Sequence, residues 1–277
     1  MIDETVAEIS EMQTHSSSVV AIKAARALET LTEREAATVE EYIRDLERNS
    51  GALRRANPSH ASLHTTQRTI VETVSEAEPA SVDAAKQLTA EAIDSVIDRV
   101  ETAKREAAAQ FADQLEDEMV LLTHDYSSTV LEGIERAASD GTHLRVYATE
   151  ARPRYLGRKT ARVLGAIDRV ETELLVDSAA GTVLDDVDRV VVGMDCIVED
   201  HLYNRVGTYP IAAAASTADV PVWVVGSGAK IIEDGFVFEN EYRPASEVML
   251  EPAEGFSIRN PAYDATPVGL IDDVITD

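Results

Sequence analysis

Residues 187–212 read VDRVVVGMDCIVEDHLYNRVGTYPIA. Val190, Val191 and Val192 form an unbroken apolar run closed by Gly193, the pattern of a parallel strand buried on both faces and ending in a turn. The first acid beyond it is Asp195, and open α/β sheets place their ligands just past such strand ends. The polar segment 204–208, Asn-Arg-Val-Gly-Thr, reads as a loop feeding a helix of small residues from Ile211 to Ala218. Backbone N–H groups at that helix start are suited to an anion, so the stretch reads as a site for a phosphorylated ligand.

Working outward, the neighbouring segments repeat the same alternation. Short apolar runs at 119–122, 144–148, 172–176 and 222–225 read as further strands, with helical stretches around 128–138, 156–167, 179–184 and 208–218 between them. Repeated βα units of this length give a parallel, doubly wound sheet with right-handed crossovers. The stretch 240–277 holds Pro244, Pro252, Pro261 and Pro267 and reads as chain wrapping the surface. Upstream, helix follows helix. Thr30 to Glu33 carry a T-x-x-E capping box, an acidic amphipathic helix spans 36–46 and is ended by Asn49-Ser50-Gly51, and 81–115 contains almost no breaker and reads as one long helix. The fold class is therefore α/β: a helical N-terminal domain over 1–115, then a Rossmann-like parallel-sheet domain over 116–277. The small-residue helix around Ala212 to Ala215 is expected to leave apolar surface for a second copy of the chain.

Polar residues gather after the strands: Thr123-His124-Asp125-Tyr126-Ser127, Thr149-Glu150-Ala151-Arg152-Pro153, Asp195, and Gly226-Ser227-Gly228-Ala229-Lys230. Strand ends on one rim converge in space, so the candidate ligand-binding set is Ser127, Arg152, Asn204, Arg205 and Lys230, with Asp195 and Asp125 as candidate acids. Cations for phosphate and carboxylates for hydroxyls suit a sugar phosphate or nucleotide. Neither G-x-G-x-x-G nor G-x-x-x-x-G-K-[ST] follows any of these strands, and no Cys/His spacing suggests a metal, so no cofactor or metal is expected.

With 25 basic and 51 acidic residues the net charge is −26, and lysine occurs only at Lys23, Lys86, Lys104, Lys159 and Lys230. Acids spread along the chain describe a solvated acidic shell, tolerable where salt screens self-repulsion, as in the cytoplasm of halophilic archaea. The same balance argues against direct nucleic-acid binding. The absence of an apolar run of about 18 residues, with an acidic start at Asp3 and Glu4, argues against a membrane span or an export signal. The single Cys196 fits a reducing cytoplasm.

Several of these segments together resemble the initiation factor 2B alpha/beta/delta family, which includes ribose-1,5-bisphosphate and methylthioribose-1-phosphate isomerases. They are Thr149 to Pro153 with Gly157 and Ala161, Val192-Gly193-Met194-Asp195, Asn204 to Thr208, Asn260 to Pro267, and in the helical half Met12 to Ser18 and Asn57 to Leu63. The resemblance implies a helical domain, a Rossmann-like domain and a homodimer. The isomerases work with a cysteine thiol and an aspartate, which the resemblance places at Asp125 and Asp195; Asp125 thus stands where the catalytic cysteine would be, and the T-H-x-Y-S form resembles the regulatory subunits. Leu156, Arg205 and Asn57 also depart from the isomerases' glutamine, lysine and arginine. The function so implied is a non-catalytic regulatory protein with a sugar-phosphate or nucleotide pocket, acting through dimerisation or contact with a translation factor or other protein partner; the alternative is a ribose-1,5-bisphosphate isomerase of nucleoside salvage. On local chemistry alone, Asp125 reads first as the N-cap of the helix near Ser127, Cys196 as a small buried hydrophobe, and His124 equally as a packed side chain or a general base.

If the charge is a salt-dependent shell, raising potassium chloride from low to molar concentration raises the melting temperature; a flat or falling curve contradicts it.

Overall fold

The computed structural model describes residues 2–11, 17–232, 236 and 238–277. Met12-Gln13-Thr14-His15-Ser16, part of one resembling segment, lies outside the described residues. The chain forms two compact units, 1–103 and 104–277. The sequence placed the division near 115, at the end of the long helix; the units instead divide within that helix.

The first unit is built from α1 (Ile2–Ser10), α2 (Ser17–Leu28), α3 (Val39–Ala56), α4 (Ala61–Glu76) and most of α5 (Val82–Ala112). Its core holds Leu28, Leu31, Leu46, Leu53, Leu63, Ile70 and Ile93. Two local expectations fail here. Thr30 donates its hydroxyl to the Ala27 carbonyl within a 3₁₀ turn, and the cap belongs to Thr38, whose Oγ1 accepts from Glu41 N at 3.2 Å while Glu41 Oε2 accepts from Ala37 N at 2.9 Å. Nor does Asn49-Ser50-Gly51 end the helix. Asn49 bonds back to the Asp45 carbonyl and buried Ser50 donates to the Gln67 carbonyl of α4, so packing overrides propensity and α3 continues to Ala56.

The second unit alternates β1 (Met119–Thr123), α6 (Ser128–Ser139), β2 (Leu144–Thr149), α7 (Leu156–Leu164), β3 (Val170–Leu175) and β4 (Arg189–Gly193). It continues through β5 (Cys196–Val198), β6 (His201–Arg205), α8 (Thr208–Thr217), β7 (Val222–Val225), β8 (Ile231–Ile232), β9 (Tyr263–Pro267) and β10 (Asp273–Ile275). The main sheet is six-stranded in the order β10-β7-β4-β1-β2-β3, with every pair parallel. The valine run behaves as a central parallel strand must. Val190 and Val192 join the cluster with Ile211, Ala212 and Ala215 of α8, whereas Val191 joins Phe111, Val130 and Ile134. Ala212 and Ala215 are thus covered by the sheet, while Ala213 and Ala214 of the same helix are half-buried and Tyr209 at its start is exposed.

Three further readings change. In place of a helix over 179–184 there are two 3₁₀ turns, Asp177–Thr182 and Leu184–Asp186, and Asp177 at the start of the first turns its carboxylate onto the Ala151 and Arg152 amides. The third strand sits two residues earlier than expected, as the half-exposed edge β3. Finally, the proline-rich end does not simply wrap the surface: β10 adds to the main sheet, and β9 joins a second sheet ordered β8-β5-β6-β9. Asn204 and Arg205 are accordingly strand residues, paired with Asp264 and Tyr263.

α7 docks on β2 with no clearance. A Cβ on Gly157 would stand 1.7 Å from the Thr149 carbonyl oxygen and 3.0 Å from the Glu150 carbonyl carbon. Gly→Ala inside a helix ordinarily stabilises by about 0.5–1 kcal/mol. Here Gly157→Ala reverses the sign, costing about 2 kcal/mol or more because backbone has to move, as a urea melt will show.

Candidate functional site

The rim of the main sheet gathers its polar residues through strained turns. Asp125, Ala151 and Tyr155 adopt left-handed backbone (φ 63°, 56° and 58°), a conformation that L-residues hold only when surroundings enforce it. At Ala151 the enforcing group is Asp177, whose two oxygens accept from the Ala151 and Arg152 amides at 2.7 Å each. At Asp125 the carbonyl accepts from Thr160 Oγ1 of α7 at 2.6 Å. Asp125 is not a helix cap, as local chemistry had suggested; Ser127 caps α6 by accepting from Val130 N.

Arg205, at the end of β6, lies between the two candidate acids. Its Nε is 3.7 Å from Asp125 Oδ2 and 3.6 Å from Asp195 Oδ2, and the guanidinium carbon stands 4.8 Å from the centre of the Tyr263 ring. Burial works against its charge, but Tyr263, Asp195, Asp125 and Glu241 together raise its pKa above the usual arginine value. Asp125, Arg152 and Arg205 line a cavity of about 360 Å³, open mouth included. Its apolar wall contains Ala151, Pro153, Leu156 and Ala262, and its remaining polar groups are Arg154, Arg243, Glu247 and Asn260. Burial, then the nearby charges of Arg243 and Arg205, lower the Arg154 pKa, opposed by Glu247 and Asp125.

Other residues named from sequence stand outside the cavity lining. Asp195 meets that lining through Arg205. Lys230 is buried and donates to the Met194 carbonyl at 2.8 Å; burial lowers its pKa while Asp195 and Cys196 act to raise it. Asn204 donates to Thr208 Oγ1 at 3.1 Å, and Ser127 packs where a Cβ on Gly193 would come within 2.6 Å of its Oγ. Burial, then Asp195, push the Cys196 thiol up to about 12, with Lys230 acting the other way. His124 bonds to Thr149 Oγ1 at 2.6 Å and to the Val206 carbonyl at 2.9 Å; the carbonyl only accepts, which puts a proton on Nε2. Both ring nitrogens are then engaged within the protein.

The start of α8, expected to receive a ligand anion, already holds one. Asp264 Oδ2 of β9 accepts from Gly207 N at 2.6 Å and Tyr209 N at 3.1 Å. Arg154, Arg243 and Glu247 were not singled out from sequence. Arg154 directly follows the quoted run Thr149 to Pro153, but Arg243 and Glu247 carried no periodic or motif signal. Among the described residues, the one group with metal-ligand chemistry is exposed Asp117, Glu118 and His143, where Arg169 Nη1 sits 2.9 Å from His143 Nε2.

Comparison with known proteins matches residues 13–277 to the Initiation factor 2 subunit family. A relative from Haloferax volcanii named ribose 1,5-bisphosphate isomerase is 30% identical over 285 residues, covering 100% of this chain and 87% of that protein. A Pyrococcus furiosus protein named putative translation initiation factor eIF-2B subunit 2-like is 29% identical over 283 residues, covering 100% and 96%. The solved structure of the Pyrococcus horikoshii OT3 translation initiation factor eIF-2B superposes with a TM-score of 0.83 at 27% identity, covering 99% of this chain and 94% of that one. No described helix is long and apolar enough to cross a membrane. The chain belongs to the Initiation factor 2 subunit family.

Proposed function

We propose that the second unit binds a phosphorylated pentose in the rim cavity, with ribose 1,5-bisphosphate the first compound to test. The observation that carries this reading is the Arg205 guanidinium held between Asp125 and Asp195 beside a cavity whose wall adds Arg152, Arg154 and Arg243. Guanidiniums suit phosphate and carboxylates suit sugar hydroxyls, while the apolar wall of Ala151, Pro153 and Leu156 suits the faces of a sugar ring.

A second reading is turnover, favoured by the name of the Haloferax relative across the full chain and by the two carboxylates themselves. Converting ribose 1,5-bisphosphate to ribulose 1,5-bisphosphate moves the C2 hydrogen to C1, breaks the bond from C1 to the ring oxygen, and leaves the C2 hydroxyl proton on that oxygen. One carboxylate as base and a cation at the developing C2 oxygen meet part of that demand, and Asp195 with Arg205 supplies both types. Cys196 is not poised as a thiolate: it is buried, and a pKa pushed up to about 12 leaves little of that form at neutral pH.

Ribose 1,5-bisphosphate at a hundredfold excess over its dissociation constant should stabilise the fold by about 2.7 kcal/mol in a thermal melt. Asp195→Asn should keep that stabilisation to within about 1.4 kcal/mol, a tenfold change in affinity, while abolishing any turnover. Wild-type conversion at an enzymatic rate establishes the second reading, and conversion by Asp125→Cys alone marks an isomerase pocket kept for binding. A melt unmoved by any pentose phosphate contradicts both.

Cys196 should remain unalkylated by iodoacetamide at pH 8 in the folded protein and react once urea unfolds it, as mass spectrometry will read. Rapid labelling of the native chain would contradict its burial.

A further inference from the structure

The cavity has a polar corner separate from the Asp125–Arg205–Asp195 cluster. Glu247 Oε1 accepts from Arg243 Nη2 at 2.9 Å and Nε at 3.3 Å, with Arg154 Nε 3.9 Å away, and Glu247 Oε2 accepts from Asn260 Nδ2 at 3.2 Å. One carboxylate is thus met by two guanidiniums and an amide in the wall of a cavity. That is also the donor set which recognises phosphoryl oxygens. A plain ion pair four residues apart is the simpler account of Arg243 and Glu247. Yet these side chains are only 10% and 21% exposed, and an arginine from another segment is turned toward the same oxygen. Arg154 is also crowded by the charges of Arg243 and Arg205, which a dianion relieves further than one carboxylate does.

We propose that Arg154, Arg243 and Asn260 form a phosphoryl-binding subsite that Glu247 occupies in the free protein and vacates when the ligand's phosphate arrives. The inference deepens the phosphopentose reading and rests on it, placing one phosphate at this corner and the sugar toward Asp125 and Arg205. Glu247 lies in the 3₁₀ turn Ala245–Glu247, inside a segment closed at its base by the Arg243 N to Asn260 O bond of 2.8 Å and the Tyr242–Pro261 bridge. Leu250, 87% exposed, and Phe256, 58% exposed, belong to the same segment, which lies outside both sheets, so moving the Glu247 carboxylate breaks no sheet hydrogen bond.

Calorimetric titration of wild type, Arg154→Met and Glu247→Gln with inorganic phosphate and with ribose 5-phosphate tests this, each variant first showing a cooperative melt. Arg154→Met should weaken both ligands by about tenfold or more, the loss of one charged contact. Glu247→Gln should strengthen both, because the competing charge is gone; a structural ion pair predicts the opposite sign. If Arg154→Met does not fold, Glu247→Gln decides alone. Unchanged binding in Arg154→Met, or unchanged or weaker binding in Glu247→Gln, overturns the subsite and leaves the phosphopentose reading standing. Wild type that binds neither compound overturns both.

Discussion

A guanidinium taken out of water has to be matched by charge on the spot, and Arg205 sets that constraint for the second unit. Its two carboxylates come from the ends of β1 and β4, its own strand from the second sheet, and its ring partner Tyr263 from β9. Removing one partner of such a cluster strands a buried charge, an effect of about 3–5 kcal/mol in comparable sites. Asp125 meets Arg205 from a left-handed residue whose carbonyl is held by Thr160. Fold and site are therefore one energetic problem.

The main sheet was legible because a strand buried on both faces needs an unbroken apolar run, and residues 190–192 and 222–225 have one. β3 was misplaced by two residues because an edge strand alternates only weakly: Val170, Thr172 and Leu175 are half-buried among exposed neighbours. The second sheet was invisible for a related reason. β6 is His-Leu-Tyr-Asn-Arg, with only Leu202 and Asn204 buried, and its partner β9 lies beyond several prolines in a stretch whose composition reads as loop. In the helical unit, Asn49-Ser50-Gly51 looked like a stop until α4 supplied a carbonyl for Ser50, a tertiary contact no local rule contains.

For the site, residues next to a strong strand were found and residues on the proline-rich segment were not. Asp125 and Arg152 face one cavity because the parallel strands β1 and β2 end on one rim, whereas Arg205 reaches the same cavity from the antiparallel second sheet. Lys230 and Asn204 showed why rim position alone is insufficient: each spends its donor on an internal acceptor, the Met194 carbonyl and Thr208 Oγ1. Arg243 and Glu247 line the cavity in a segment tied to the chain just before β9 by the Arg243–Asn260 bond and the Tyr242–Pro261 bridge, a placement set by topology that no spacing rule encodes.

That fold-back bears on synthesis. Asp264, the carboxylate seated on the first amides of α8, is made 57 residues after Gly207. At about 5–20 residues per second, the exposed helix start waits roughly 3 to 11 s for its anion, and β6 waits as long for its outer neighbour. During that interval the nascent chain carries Arg205 on an unpaired strand edge in a protein otherwise crowded with acids. A ribosome that stalls between these two points would hold a chain with most of its sheet and none of its completed pocket.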